Sequence, residues 1–281
     1  MTGLTGPTAT SRGAIASHLE EELLSGRLPA GTKLPSERQL AARLGVSRPV
    51  VREVIRTLVE RGLLEVSPGR GAYARAMEPI DIAAPMTSVY RRRNATPRDL
   101  VEARTMLESE TAAYAAGRAT PAAIDELSVL VVRIDEATDA IEKARADVAF
   151  HARLARASGN PVIETMFVSI TGLAFEHMLR SSADPQIAAE ANPYHAEVVE
   201  AIRAGDAVRA RKAMRDHLAV ATERYGDDLD VSIQNLAQRE LDRMQVPPAL
   251  RISLLGEAQV HEPSGDDLRW APSTGRRSPG G

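Results

Sequence analysis

Apolar residues recur at three- and four-residue steps along most of the chain, and Pro, Gly and capping residues punctuate the runs. Ile15, Leu19 and Leu23 stand four apart, with Leu24 beside them. They predict a first helix, which Gly26, Pro29 and Gly31 bring to an end. Ser36 with Gln39 three residues on fits a capping box, so a second helix starts there, places Leu40 and Leu44 on one face and stops near Gly45. Ser47 reads as the next N-cap, with Pro49 tolerated in the first turn. The helix it opens has an apolar stripe of Val50, Val51, Val54, Ile55, Leu58 and Val59, and carries Arg48, Arg52 and Arg56 on another face. Gly62 closes it. Two short apolar runs then flank Ser67-Pro68-Gly69-Arg70-Gly71 and read as a hairpin. Helix, helix, turn, helix, hairpin is the layout of a winged helix-turn-helix.

From about residue 77 the pattern is helical throughout. Thr96-Pro97, Thr120-Pro121, Asn160-Pro161, Asp184-Pro185 and Asn192-Pro193 each set a capping residue before a proline, and Gly205-Asp206 pairs a stop with a start. Helices are predicted near 80–93, 97–117, 121–138, 140–157, 161–181, 185–190, 193–203 and 206–225. No period-two strand pattern interrupts them, so this region is predicted to be an all-helical bundle. The fold class is therefore mainly α, a winged helix-turn-helix followed by a helical bundle. The predicted organisation is a disordered N-terminus (1–11), a DNA-binding domain (12–76) and a linker with a connecting helix (77–96). The ligand-binding bundle follows (97–226), then a C-terminal extension (227–281). In that extension Asp230 to Met244 reads as one helix, Pro247-Pro248 as its stop, and the Pro/Gly/Ser-rich remainder as disordered.

Composition narrows the function. The 281 residues include no cysteine, which excludes a disulfide framework, thiolate zinc fingers and a cysteine nucleophile. Aromatics make up only 3%, against single-strand or RNA binding by base stacking but not against reading duplex DNA with arginines. The net charge of −3 divides into +4 over residues 1–76, −4 over 77–226 and −3 over 227–281, a basic module joined to an acidic remainder. There is no run of 18 apolar residues and no signal-like stretch near Met1, so the expected location is the cytoplasm, with no membrane partner.

A helix-turn-helix lays its second helix in the major groove, with the residues at its start meeting base edges. Arg48 and Arg52 occupy that position, and Arg38 early in the preceding helix is placed for phosphate or groove-edge contact. Ser36 and Ser47 open helix N-termini that favour phosphate, and Gly69 with Arg70 forms the tip of the wing. The run Leu34-Pro35-Ser36-Glu37-Arg38-Gln39-Leu40-Ala41, then Gly45-Val46-Ser47-Arg48-Pro49-Val50-Val51-Arg52-Glu53, then Arg61-Gly62-Leu63-Leu64, closely resembles the GntR family of bacterial transcription regulators over residues 12–76. That resemblance implies operator contacts at Arg38, Arg48, Arg52 and Gly69, and a homodimer on a palindromic operator.

Asp147 and His151, four apart, share one helix face; His195 and His217 lie on two helices that the Gly205-Asp206 turn lets pack antiparallel. One carboxylate and three imidazoles suit a single divalent transition metal, Zn²⁺, Ni²⁺, Mn²⁺ or Fe²⁺. Spacing alone does not separate this from hydrogen-bonded or surface histidines. Asp147-x-x-Phe150-His151, followed by Ala157-Ser158-Gly159-Asn160, resembles the FCD effector domain of the FadR subfamily of GntR regulators. His195, Gly205-Asp206, Met214 and His217 match its closing helices, and Arg104 with Glu108 its long first helix, so the likeness covers 97–221. It implies that Asp147, His151, His195 and His217 hold the metal, and that a small organic acid effector binds there with Arg104 pairing its charge. Arg104 has a second reading, a salt bridge to Glu108 in its own helix. Asn192 has two as well, the pocket mouth or a cap. His177 reads as a bundle-facing or exposed polar group, with an effector contact as the alternative, and Arg91-Arg92-Arg93 as a solvated helix end, with a DNA contact as the alternative. His18 and His261 carry no signal.

Together these readings give a non-enzymatic, ligand-responsive repressor with a metal-assisted pocket for a small carboxylate or a hydroxy or sugar acid. Two alternatives remain at this stage, a metal-dependent enzyme with an accessory DNA-binding module and an architectural DNA-binding protein with a structural metal.

Overall fold

The structure, a computed structural model, describes residues 11–257. The expected disorder of the first ten residues and of the tail beyond 257 lies outside the described residues. The chain divides into two units at Asp81/Ile82.

The first unit holds α1 (Arg12–Leu24), α2 (Glu37–Leu44), α3 (Arg48–Glu60) and the antiparallel pair β1 (Leu64–Ser67) and β2 (Gly71–Ala74). Ile15 and Leu19 of α1, Leu40 and Leu44 of α2, and Val51, Val54 and Leu58 of α3 close on one core with Leu63 and Leu64. The α1 stripe thus faces inward, with Leu23 half-buried against the same core, while Leu24 is exposed. The capping box forms: the Ser36 hydroxyl accepts from the Gln39 amide, and the Gln39 side chain accepts from the Ser36 amide. Gly45 ends α2 in the left-handed region at φ 67°, which a glycine occupies without strain. Ser47 sits at the N-cap of α3 with no hydrogen bond from its side chain. Replacing Ser36 with alanine frees two amides at the start of α2 and is expected to cost about 1 kcal/mol. Hydrogen exchange of the α2 amides should then quicken about fivefold where local opening governs it; unchanged rates would show that the box contributes nothing.

The second unit is helical throughout. A 3₁₀ turn (Pro79–Ile82) leads into α4 (Ala83–Arg92), followed by α5 (Pro97–Arg118), α6 (Pro121–Glu136), α7 (Ala140–Ala157), α8 (Pro161–Val168) and α9 (Thr171–Ser182). Then come α10 (Pro185–Arg203), α11 (Ala207–Arg224), a 3₁₀ turn (Gly226–Asp230), α12 (Ile233–Arg243) and α13 (Pro248–Glu257). The main core joins α5, α6, α7, α10 and α11 through Leu127, Leu130, Phe150, Leu154, Ile202 and Met214. Among the described residues no single helix is long and apolar enough to cross a membrane.

The structure departs from the expected helices in three places. The stretch 161–181 is two helices, α8 and α9, bent by 60°. There the Ser169 hydroxyl donates to the Met166 carbonyl at 2.6 Å and the Thr171 hydroxyl to Val168 at 2.9 Å, side-chain bonds that compete with the helical ladder. Residues 185–203 form one helix with Pro193 inside it, so Asn192 is not a cap. Pro248 starts a helix instead of marking the end of order, because a proline at a first helical position has no amide to waste. Residues 229–241 are core: Leu229, Ile233, Leu236 and Leu241 are buried, with Ile233 against Leu100 and Leu173 and Leu241 against Phe175 and Met178.

Candidate functional site

In the first unit the start of α3 carries its arginines outward. Arg52 forms a two-pronged pair with Glu37 of α2, at 3.0 Å from Nε and 2.8 Å from Nη2, and Arg48 reaches the same carboxylate at 3.8 Å. One acidic side chain at the start of α2 therefore orients both guanidiniums, which remain more than half exposed. Glu37 is held below the usual carboxylate range, chiefly by its hydrogen bonds from Arg52. Arg38 is exposed and has no carboxylate partner among the described residues. At the hairpin tip Gly69 turns at φ 74° and Arg70 is exposed beside it. Ser36 and Ser47 stand at the exposed starts of α2 and α3.

In the second unit, α7 brings Asp147 and His151 to one face, α10 brings His195 and α11 brings His217. Their candidate ligand atoms all lie within 4.8 Å of one another. His195 Nε2 is 3.1 Å and His151 Nε2 3.2 Å from Oδ1 of Asp147, and His217 Nε2 is 3.3 Å from His151 Nε2. The other nitrogen of each ring is directed elsewhere. Nδ1 of His195 bonds the Asn192 carbonyl at 3.2 Å, Nδ1 of His217 the Ala191 carbonyl at 3.3 Å, and Nδ1 of His151 contacts the Glu108 carboxylate. A carbonyl or carboxylate can only accept, so each Nδ1 carries a proton, and each ring presents a lone pair at Nε2 once it is neutral. Three such lone pairs and a carboxylate oxygen converge on one buried point, an arrangement that repels itself unless a cation or a proton lies among them. The donor set thus fits a divalent transition metal in nitrogen and oxygen ligation.

Charge states agree with that geometry. Burial opposes the charge of Asp147, but His195 and His151 hold its carboxyl well below the ordinary range. Burial likewise opposes Glu108, and Arg104 with His151 outweighs it, bringing the carboxyl down to about 2. Burial and the neighbouring rings of His195 and His151 push His217 well below the usual imidazole range. For His151, burial is outweighed by Glu108 and Asp147, and the ring holds its proton more tightly than usual.

A cavity with a free volume of about 30 Å³ opens beside this cluster, lined by Arg104, Asp147, His177, Met178 and His217 among others. Arg104 is buried, lines the cavity and is also paired with Glu108, so the two readings of this residue coexist. Asn192 is not among the lining residues and supplies its main-chain carbonyl to His195 instead. Three features escape sequence reasoning. Glu108 braces His151, a contact between α5 and α7 that no local spacing reveals. His177 is buried against the cavity, the bundle-facing group of its two bland readings and not the exposed one, a choice the sequence leaves open. Arg91 is no solvated helix end: it pairs with the buried Glu176 of α9 at 2.9 Å from Nε, while Arg92 and Arg93 are exposed.

Residues 12–73 match the model for bacterial regulatory proteins of the gntR family, and residues 99–220 match the FCD domain. The chain is 35% identical over 225 residues to a protein of Escherichia coli (strain K12) that carries the description L-lactate dehydrogenase operon regulatory protein, covering 76% of this chain and 87% of that one. It is 29% identical to the Glc operon transcriptional activator of the same strain, over 76% of this chain and 88% of the relative. A solved GntR structure from Streptococcus agalactiae is similar at a TM-score of 0.58 with 30% identity, covering 74% of this chain and 97% of that chain.

Proposed function

The chain belongs to the GntR family of bacterial regulatory proteins and carries that family's FCD domain, and from this membership we propose a metal-assisted repressor of a palindromic operator, bound as a homodimer and released by a small carboxylate or a hydroxy or sugar acid. Members of this family are transcriptional regulators and not enzymes. Operator binding by the winged helix-turn-helix and effector response by the FCD domain follow from membership.

In this reading Arg48 and Arg52 meet base edges, Arg38 and the helix starts at Ser36 and Ser47 meet phosphate, and Gly69 with Arg70 enters the neighbouring groove as the wing. The observation that carries the effector half is the convergence of three Nε2 atoms and one carboxylate within 4.8 Å. Asp147, His151, His195 and His217 would hold one Zn²⁺, Ni²⁺, Mn²⁺ or Fe²⁺. When bound, the ion supplies open coordination positions that attract a carboxylate, with or without a neighbouring hydroxyl. Arg104 offers charge for the same carboxylate, and Glu108 keeps Arg104 oriented and His151 in its tautomer. The relative named for an L-lactate dehydrogenase operon supports a 2-hydroxy acid as effector class. An effector alters operator affinity only through its different affinity for two states of the protein, typically about 1–3 kcal/mol.

Native mass spectrometry of protein purified without chelator tests the assignment. The expected species has twice the chain mass and one divalent metal per chain. A metal-free protein would overturn the metal centre, and a monomer the dimer. A second expected outcome concerns pH. Metal must displace the proton that Glu108 and Asp147 stabilise on His151. Apparent metal affinity should therefore rise with pH, and keep rising above about 6.5, the ordinary imidazole value. Calorimetric titrations across that range would check it; a flat profile would remove His151 from the ligand set.

A further inference from the structure

His177 stands on α9, which lines the cavity but contributes none of the candidate metal ligands. Its side chain is buried, and Nδ1 has no hydrogen-bond partner among the described residues. A buried ring nitrogen without a partner is a standing cost, and native proteins tolerate few such atoms. Yet the residue is well held. The Tyr225 hydroxyl donates to the His177 main-chain carbonyl at 3.0 Å, and the Tyr225 ring lies against the imidazole with centroids 5.1 Å apart. Ser181, one turn further along the same wall, is satisfied by the Tyr225 hydroxyl at 2.6 Å, which leaves His177 as the wall's free polar group. Burial, reinforced by Arg104, pushes the His177 ring down to about 3, so it is a neutral imidazole that can donate or accept but carries no charge.

Resting on the effector reading above, we infer that His177 is a specificity-determining residue that hydrogen-bonds an uncharged hydroxyl of the effector beyond the carboxylate end. The acid end belongs to the metal ligands and Arg104, on α7, α10, α11 and α5. Whatever extends from it toward α9 meets a neutral imidazole among apolar neighbours such as Met178, Leu218 and Val220. A second carboxylate there would be buried where the one lining guanidinium, Arg104, is already paired with Glu108 and engaged by the acid end, and a bare methyl would leave the ring nitrogen unpaired. A hydroxyl satisfies both requirements. The site accordingly fits a small acid with at least two hydroxyls better than the corresponding monohydroxy acid.

The test is calorimetric titration of the metal-loaded, full-length protein with a panel of 2-hydroxy acids from glycolate to gluconate. The pair glycerate and lactate, which differ by the 3-hydroxyl alone, is central. Wild type should favour glycerate. His177→Phe should reduce the glycerate-to-lactate affinity ratio about tenfold, the value of one hydrogen bond lost from a buried site. His177→Gln, which keeps a donor and an acceptor, should retain part of the preference. Metal content and melting temperature of each variant report on folding, and the ratio does not depend on them. If the ratio is unaltered in both variants, or wild type shows no preference, the inference fails while the carboxylate reading stands. If wild type binds no acid of the panel, the carboxylate reading fails and takes this inference with it.

Discussion

Adding a divalent metal to the chelated protein is expected to raise the melting temperature of the FCD unit by about 10 °C, and His151→Ala is expected to abolish that rise. A ligand present at a thousandfold excess over its dissociation constant stabilises the folded state by about 4 kcal/mol. In a unit of this size each kcal/mol is worth about 2–4 °C. His151 is the right ligand to remove because it touches Asp147, His217 and Glu108 at once. Its Nε2 is within 3.3 Å of both Asp147 and His217, and its Nδ1 contacts Glu108. The comparison is made within each variant, with and without metal, so any loss of baseline stability from the missing ring cancels. The same variant should bind operator but no longer respond to acid. A wild-type melting curve indifferent to metal and chelator would dispose of the centre altogether. Turnover of the bound acid is not expected.

Arg52→Ala should weaken specific operator binding by about 1–3 kcal/mol, roughly five- to a hundredfold, and relax the sequence preference at one position of each half-site. In the free protein Arg52 is occupied by Glu37, but an exposed pair of this kind is weak in water and yields readily to a base or phosphate. Arg38→Ala should behave differently. It meets phosphate in the proposed complex, so its loss should lower affinity for all sequences alike and reduce the salt dependence by about one unit. Fluorescence titrations at several salt concentrations, with operator and scrambled duplex, distinguish the two. Equal losses on both duplexes for Arg52→Ala would move that residue from base reading to backbone contact.

The DNA-binding unit is largely legible in the sequence because its signals are local. The Ser36–Gln39 box, Gly45 at a left-handed stop and the Val51, Val54, Leu58 stripe each act over a few residues, and the structure realises all three. The Asp147–His151 pairing was legible for the same reason, one turn of one helix. What could not be read was tertiary or contrary to local rule. Asn192-Pro193 has the form of a helix start, yet the helix runs through it. The break after Val168 carries no proline at all and arises from Ser and Thr hydroxyls bonding their own backbone. Glu108 and His177 take their meaning from helices far along the chain. The segment after residue 226 reads only as an extension with one helix because apolar residues at 229, 233, 236 and 241 are sparse; they join the core only through contacts with helices such as α5 and α9.

The run of α10 through Pro193 has a further consequence. His195 and His217 are oriented by the peptide oxygens of Ala191 and Asn192, and a peptide oxygen is present whatever side chain the codon specifies. Mutational drift at positions 191 and 192 therefore cannot delete these supports, and only an insertion, a deletion or a change of helical phase can. His151 depends on the side chain of Glu108 and has no such insurance. Apart from the ligands themselves, the supports of the proposed metal centre should thus tolerate substitution at positions 191 and 192 of α10 and be brittle at Glu108 of α5. A saturation screen for metal retention should show that asymmetry, with position 108 nearly fixed and position 192 open.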